Sequence, residues 1–368
     1  MALSADGSLS TCCSTIQRQL LALNAPNTYN ELRSYGLINA LESPQNLAGV
    51  DQGIVAQLQA LWGKGTINDA DATCKFKVWV EKPVCGTATD GVTSLCGNTN
   101  TTGPSEDRIQ IDVKIAKAKS VQGKIEPSDV ACLCNGTIPD VLRNEMTKAA
   151  KKILASVEAD LVTTVQASMG DYINGTASLT SPRTLNLFAA TATRFEAQPV
   201  GWTPLMLEYA QMQTQGGVIA VGGNAIFNYV TALQLAPSLA GEYRLPSGIT
   251  TWYDPNVQGL ADETFTNPLL TWAPGALWIM RYLDNVGNDV NHINDGNVDR
   301  TVVDIFGHLF DLSIKRDASC DKLIWVLNYQ YDLWNLPQTV FGTCLDTNQK
   351  QAYDIGCDVL DCADLNPA

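Results

Sequence analysis

Few side chains of the sequence stand at the spacings that catalysis or metal binding requires. The chain of 368 residues has two histidines, His292 and His308, and they do not form a metal-binding pattern such as H-E-x-x-H. The segment 288–299 is rich in oxygen ligands, but Ile293 occupies a position that a calcium loop gives to a ligand. We therefore predict that both histidines are structural, that no metal is bound, and that no residue is catalytic.

The stretch IAVGGNAIFNYV, residues 219–230, is the one segment that suggests nucleotide binding. A helix that follows a glycine turn can bind a phosphate through its first backbone N–H groups. Gly216, Gly217, Gly222 and Gly223 match neither G-x-G-x-x-G nor G-x-x-x-x-G-K-[ST]. We predict a strand, a turn and a helix without a phosphate, and no cofactor.

The eleven cysteines are odd in number and include no C-x2-C unit with matching histidines. This pattern does not favour a structural zinc site, and it favours buried free thiols. Cys85 and Cys96 lie in one loop rich in Gly, Thr and Asn and would bridge only in an oxidising medium.

Composition limits the partners of the chain. The net charge of -14 and the pI near 4.5 argue against a dedicated nucleic-acid-binding protein, which needs clustered Lys and Arg. No apolar run reaches the about 20 residues of a membrane span, and the first residues do not form a secretory signal. We expect a soluble globular chain made in the cytoplasm.

Two strands with strict alternation of apolar and polar residues follow about 70 residues of short helical patterns and turns. They occupy residues 74–81 and 108–115, and 26 residues connect them. A lone two-stranded ribbon is marginal in water. We therefore predict that a neighbouring subunit, outside the core of the chain itself, covers its apolar side chains, which are Phe76, Val78, Val80, Ile109, Ile111 and Val113.

The strongest periodic pattern predicts a helix that begins near Thr137 and ends at Gly170. Such a helix is about 45 Å long at 1.5 Å per residue. Its predicted core positions recur at helical spacing and include Met146, Ile153, Val157 and Leu161. The lysines outside this stripe predict a solvated face or, alternatively, a contact with a packaged acidic polymer.

The remaining sequence alternates helical and strand patterns between residues 186 and 299, which is typical of an α/β lobe. Two alternating runs at residues 310–315 and 323–331 then predict a β-hairpin. The last residues, 346–368, are acidic.

This order of elements resembles that of the major capsid proteins of tailed bacteriophages, the Hong Kong 97 fold. The D-x-x-I-K-x-D run at residues 311–317 and the aromatic strand at 331–337 are similar to those of phages that infect Bacteroidetes, including crAss-like phages. The resemblance implies an α+β fold with an N-terminal arm, an extended β-hairpin loop, a spine helix in a peripheral domain and an α/β axial domain. The implied boundaries are 1–70 for the arm, 71–125 for the extended loop, 126–185 and 300–345 for the peripheral domain, 186–299 for the axial domain and 346–368 for an acidic C-terminal tail.

The resemblance also implies a function. The chain would be a non-enzymatic subunit that assembles with itself into hexamers and pentamers of an icosahedral head enclosing double-stranded DNA, without sequence-specific binding. The ribbon would lie over the long helix of a neighbour, and the arm would tie adjacent subunits together. Portal, scaffold or decoration proteins are the expected partners, and the virion, assembled in the host cytoplasm, is the expected location.

Two features differ from this family. No scaffolding domain is visible before the arm, which implies removal during maturation or a separate scaffold, and the cysteine content is high. The alternatives are a secreted hydrolase or carbohydrate-binding protein, suggested by the tryptophans and the Thr- and Asn-rich loops, and another structural protein of the virion. The missing signal peptide argues against the secreted alternative.

Overall fold

The fold is taken from a computed structural model of the chain. It describes residues 35–62, 75–81, 108–126, 138–171, 184–185, 187–191, 194–197, 199–211, 217–238, 241–257, 268–283, 298–317, 322–335 and 352–357. His292, residues 288–297 of the oxygen-rich segment and the cysteine side chains lie outside the described ones, so the predictions made for them stay predictions.

Six α-helices lie within the described ranges. They are α1 (Gly36–Leu41), α2 (Pro44–Ala48), α3 (Gln52–Trp62), α4 (Ile138–Ser168), α5 (Thr203–Gln211) and α6 (Asn224–Ala232). The predicted long helix is confirmed as α4, which has 31 residues. The start of α2 shows the usual chemistry, because the Ser43 hydroxyl accepts a bond from the N–H of Asn46 and Pro44 occupies the first turn.

Sixteen strands lie within the described ranges. They are β1 (Lys75–Glu81), β2 (Arg108–Lys114), β3 (Lys117–Ile125), β4 (Gly170–Asp171), β5 (Thr184–Leu185), β6 (Phe188–Thr191), β7 (Arg194–Ala197), β8 (Ile219–Gly222), β9 (Glu242–Arg244), β10 (Thr250–Tyr253), β11 (Pro268–Trp272), β12 (Leu277–Tyr282), β13 (Val298–Ile305), β14 (His308–Asp317), β15 (Lys322–Asn335) and β16 (Ala352–Cys357). The predicted antiparallel ribbon is confirmed as β1 and β2.

A five-stranded sheet packs against α4. Its strand order is β12-β15-β14-β13, and β3 pairs with β15 as well. The predicted hairpin is confirmed, with Ile314 opposite Trp325. One edge of β15 pairs with β3, and the other edge pairs first with β14 and then with β12. Every second side chain of β15 from Leu323 to Tyr331 is buried, as the alternation of the sequence predicts.

A second sheet lies between two hydrophobic clusters. Its order is β4-β16-β11-β8-β10-β9, and β5 also pairs with β16. Ile219 and Val221 of β8 belong to the cluster that contains the inner face of α4, whereas Ala220 belongs to the cluster of α5 and α6. The two faces of the sheet therefore contribute to both cores.

The glycine turn after β8 is required by close packing. The predicted strand, turn and helix are confirmed as β8 and α6. A Cβ at Gly223 would lie 2.4 Å from the carbonyl oxygen of Val257, and one at Gly222 would lie 2.5 Å from the Ile226 side chain. Both distances are too short for a side chain, so the turn needs glycine for a close approach of the backbone.

Three predicted boundaries are wrong because they divide sheets that distant strands complete. β3 was assigned to the extended loop but pairs with β15, and β12 was assigned to the axial domain but pairs with the same strand. β16, in the expected acidic tail, pairs with β11 in the second sheet. The sequence pattern of a strand shows which face is buried and does not show which strand it pairs with.

Part of the expected N-terminal arm belongs to the body of the chain. Leu37, Ile38 and Leu41 of α1 are fully buried in the same cluster as α4. The short apolar pattern needed a surface to cover it, and that surface is provided by the chain itself. The arm prediction is therefore wrong for residues 36–48, and it stays a prediction for the residues before 35.

Candidate assembly surfaces

The apolar face of the ribbon is partly covered by its own chain. Val78, Val80 and Val113 are buried together with residues that lie in or beside α3, β12 and β15, namely Val50, Ile54, Trp278, Met280 and Trp334. The expectation that something outside the core covers the ribbon is wrong for these three valines. Ile111 is half-buried against the same cluster, and the side chains of Phe76 and Ile109 lie outside the described ones.

Polar contacts also fix the ribbon. The Gln57 side chain on α3 donates to the carbonyl oxygen of Trp79 at 3.0 Å and accepts from its N–H at 2.9 Å. The carboxamide thus satisfies the outer edge of β1 as a neighbouring strand would. The indole of Trp79 lies on the opposite face from the valines and is 49% exposed. The part of the ribbon that remains available is therefore this opposite face and not the valine face.

The helix α4 has a fully buried face and a face of small, exposed residues. The predicted core residues Met146, Ile153, Val157 and Leu161 are all buried. Lys148 and Lys152 are exposed on the other side near the N-terminal half. The exposed positions that follow are small, namely Ala155, Ser156, Ala159, Thr163 and Ala167. Small side chains along a helix allow another backbone to approach closely.

A partly buried ionic cluster joins the end of α1 to the five-stranded sheet. Glu42 accepts from Arg281 at 2.9 Å through Oε1 and contacts His308 Nδ1 at 2.9 Å through Oε2. The Tyr329 hydroxyl donates to Glu42 Oε1 at 3.3 Å, and the Arg281 guanidinium lies 3.5 Å from the centre of the Tyr329 ring. Arg281 also donates to the carbonyl of Leu309. His308 is thus a structural residue, as its sequence context predicts.

The electrostatics of this cluster favour ionised Glu42. Burial alone raises its pKa, but the hydrogen bonds and charges of His308 and Arg281 outweigh burial and lower the pKa from 4.5 to about 2. Burial, and next the negative charge of Glu42, raise the pKa of Tyr329 well above its usual range. Tyr329 therefore remains a neutral donor, and the carboxylate remains its acceptor.

A second polar cluster connects α4 with the edge of the sheet. Asp160 accepts from Lys117 Nζ at 2.9 Å and from the Tyr331 hydroxyl at 2.7 Å. Lys117 also donates to Thr164 at 2.9 Å. Burial raises the pKa of Asp160, but the bonds to Lys117 and Tyr331 outweigh it, so the net effect is a lowered pKa. The cluster attaches β3 and β15 to the C-terminal half of α4.

Asn46 connects the N-terminal segment to the turn between β11 and β12. Its side chain is fully buried and donates to the carbonyl oxygens of Leu41 and Leu277 at 2.8 and 2.7 Å. Its Oδ1 accepts from the Trp272 indole and the Gly275 N–H, both at 3.0 Å. All four hydrogen bonds that the carboxamide can make are therefore formed.

Sequence patterns did not identify Glu42, Asn46 or the buried carboxyl groups. One signal was available, since Glu158 stands between Leu154 and Leu161 in the apolar stripe of α4. A carboxyl group on an apolar helix face predicts a buried partner. Asn46 and Glu42 gave no such signal, because most of their partners lie more than 200 residues away in the chain.

Metal-binding clusters and membrane-spanning helices were sought in the described part of the chain. Within it, no three His, Cys, Asp or Glu side chains lie close enough to hold a metal ion. Its helices include none with the length and apolar character of a membrane span.

No protein-family model matches the sequence, and no curated protein matches it. Bacteriophage capsids are among the solved structures similar to this chain. The capsid asymmetric unit of cyanophage A-1(L) matches with a TM-score of 0.42 and 13% identity, over 76% of this chain and 86% of that chain. The capsid of Ralstonia phage GP4 matches with a TM-score of 0.39 and 11% identity, over 81% and 86% of the two chains. The SrpI encapsulin of Synechococcus elongatus matches with a TM-score of 0.37 and 8% identity, over 68% and 77%.

Proposed function

We propose that this chain is the major capsid protein of a tailed-phage head. It assembles with itself into hexamers and pentamers of an icosahedral shell around double-stranded DNA and catalyses no reaction. The observation that carries the proposal is the exposed small-residue face of α4, from Ala155 to Ala167, which lies opposite its buried face. A 31-residue helix with one free face of this kind provides an extended surface for another chain.

The ribbon supplies the complementary surface in this proposal. Its valine face is used within the chain, so the opposite face with the half-exposed Trp79 faces the neighbour. A contact from the ribbon of one subunit to α4 of the next joins two different surfaces. Such head-to-tail contacts generate closed rings when the rotation between subunits closes, and rings of six and five subunits are the hexamers and pentamers of this proposal.

The charge of the chain is compatible with enclosing DNA. A net charge of -14 provides no attraction for the phosphates, so the DNA would be confined by the shell and would not be bound by affinity. In this proposal the exposed Lys148 and Lys152 are solvated residues at the end of the assembly face. We also propose portal, scaffold and decoration proteins as partners of the chain.

The first test places a charged side chain on the exposed face of α4. Ala159→Lys retains helix propensity and should leave the fold intact, because the residue is exposed. We expect a folded protein by circular dichroism that forms no rings or shells in negative-stain images. Ala232→Lys, at an exposed alanine of α6, is the matched control and should assemble normally. Normal shells from Ala159→Lys would refute the assembly role of this face.

The second test shortens the ribbon without removing its buried valines. The N–H and C=O of Trp79 point outward to Gln57. Because these groups alternate in direction along a strand, those of Val80 point towards β2, and Val80 and Ile109 form a hydrogen-bonded pair. A two-residue turn can close the hairpin at that pair. Replacing residues 81–108 by Asn-Gly should therefore give a folded chain that keeps Trp79. We expect it to form no shells, because in this proposal the contact with the neighbour also includes residues 81–108. Shells of normal size from this variant would show that residues 81–108 are not needed for assembly.

A further inference from the structure

Two buried carboxyl groups converge on the beginning of α1. The N–H of Leu37 donates to Glu158 Oε1 and to Asp254 Oδ2, both at 2.9 Å. The N–H of Ile38 donates to Glu158 Oε2 at 3.2 Å. Both acidic side chains belong to fully buried residues, one on α4 and the other directly after β10. The first turn of α1 is therefore attached to two separate elements through carboxyl oxygens.

The site cannot readily hold two negative charges. Among the described residues neither carboxyl group bonds to Lys, Arg or His, and the other oxygen of Asp254 accepts from the N–H and the side chain of Asn256, at 2.8 and 3.1 Å. Burial, followed by the charge of Asp254 and a hydrogen bond to it, raises the pKa of Glu158 well above its usual range. Two carboxyl groups that share a dry site bind one proton between them.

Geometry indicates where this proton lies. Glu158 Oε1 and Asp254 Oδ2 contact the same N–H, so they are neighbours, whereas Glu158 Oε2 and Asp254 Oδ1 are each occupied as acceptors. A hydrogen on Glu158 Oε1 can donate to Asp254 Oδ2 while all other bonds remain. The singly protonated pair thus satisfies the donors of Leu37, Ile38 and Asn256 together.

Other ionisable groups on the elements that carry the pair or pack against it have partners elsewhere. From α1 and the sheet these are Glu42, Arg281, His308 and Tyr329 of the ionic cluster, and from α4, β3 and β15 they are Lys151, Asp160, Lys117 and Tyr331. Asp160 is bound by Lys117 and Tyr331. The Lys151 ammonium lies 5.8 Å from the centre of the Phe306 ring.

We propose that the proton shared by Glu158 and Asp254 is a pH-sensitive latch that holds α1 on α4 and on the end of β10, and that its loss opens this contact. With both groups ionised, two repelling charges face each other across the first turn of α1. This conformational device belongs to the subunit itself and does not rest on the proposed shell function.

The pH dependence has a defined direction. A carboxyl group whose pKa is raised by folding stabilises the docked state fully below its ordinary value of 4.5, and this stabilisation is lost as the pH rises through the folded pKa. In that interval, opening releases one proton, so the opening equilibrium constant rises about tenfold per pH unit. Above the folded pKa the constant no longer changes.

The test is amide hydrogen exchange of Leu37 and Ile38 in the full chain at a series of pH values. Glu158→Gln places an NH2 group where it can donate to Asp254 Oδ2 and an oxygen where it can accept from Ile38. The ratio of exchange rates between wild type and variant at each pH cancels the intrinsic exchange chemistry. We expect this ratio to rise about tenfold per pH unit across the interval. A ratio that is independent of pH would overturn the proposal.

A control and a second measurement keep the test decisive. Glu42→Gln alters the adjacent ionic cluster and should keep the pH dependence of exchange at Leu37 and Ile38. If Glu158→Gln does not fold, carboxyl-selective NMR of the wild-type chain measures the titration of Glu158 directly. A titration well above the ordinary range supports the latch, and one near 4.5 overturns it.

Discussion

Removing the charge of Glu42 should make the fold less sensitive to acid. Its pKa is lowered from 4.5 to about 2 by His308 and Arg281, against the opposing effect of burial. A carboxyl group with a lowered pKa stabilises the fold above its ordinary value, and this contribution is lost as the pH falls from 4.5 towards 2. The difference between the two pKa values corresponds to about 3 kcal/mol of folding free energy. Since 24% of the side chain is exposed, solvent screening makes that an upper bound.

The assay is urea unfolding of wild type and Glu42→Gln at pH 7, about 5, about 4 and about 3. The three lower values cover the range in which the stabilisation by Glu42 changes. At pH 7 the variant should be less stable by up to about 3 kcal/mol, and the difference should shrink as the pH falls. Glu145→Gln is the control, because its pair with Lys148 is exposed and contributes little. A difference between wild type and Glu42→Gln that does not change with pH would refute the reasoning.

Three further substitutions test the core. Asn46→Ala removes the hydrogen bonds to four partners, three of them buried, and should lower the free energy of unfolding by about 3 kcal/mol. Urea unfolding measures this loss, and Asn144→Ala, at an exposed position, should be neutral. Val157→Asp places an unpaired carboxylate in the core and should abolish the folded circular dichroism spectrum. Ala155→Asp, on the exposed face of α4, should retain that spectrum. Equal damage from both variants would contradict the assignment of the faces. In Gly223→Ala the added Cβ lies 2.4 Å from a carbonyl oxygen, so the variant should have a lower melting temperature. In Gly53→Ala, in α3, the added Cβ meets only the flexible Asp51 side chain, so the melting temperature should not change. An unchanged melting temperature for Gly223→Ala would contradict the close approach of the backbone at this turn.

Local sequence patterns predicted the elements that repeat with a clear period. The stripe through Ile153, Val157 and Leu161 predicted α4, and the alternation from Leu323 to Tyr331 predicted β15, because burial on one face imposes the period of the element. The glycine turn was predicted because no phosphate-binding spacing is present. These predictions depended only on residues that are close together in the sequence.

The assembly surface could be predicted only in part. The alternation in β1 and β2 identified an apolar face but did not show that Val78 and Val80 pack on Trp278 and Trp334, about 200 residues and more away in the chain. The exposed small residues of α4 carry no periodic signal of their own, since alanine is found on both buried and exposed helix faces. The long-range pairing of strands therefore decided which faces remain free.

The state of association of the purified wild-type chain tests the central proposal most directly. Sedimentation velocity, with negative-stain images of the same sample, measures particle mass and shape together. The proposal predicts rings of five or six subunits or closed shells, at physiological salt and at concentrations expected of an assembling capsid protein. A stable monomer at every concentration and salt, with a folded circular dichroism spectrum, would contradict it.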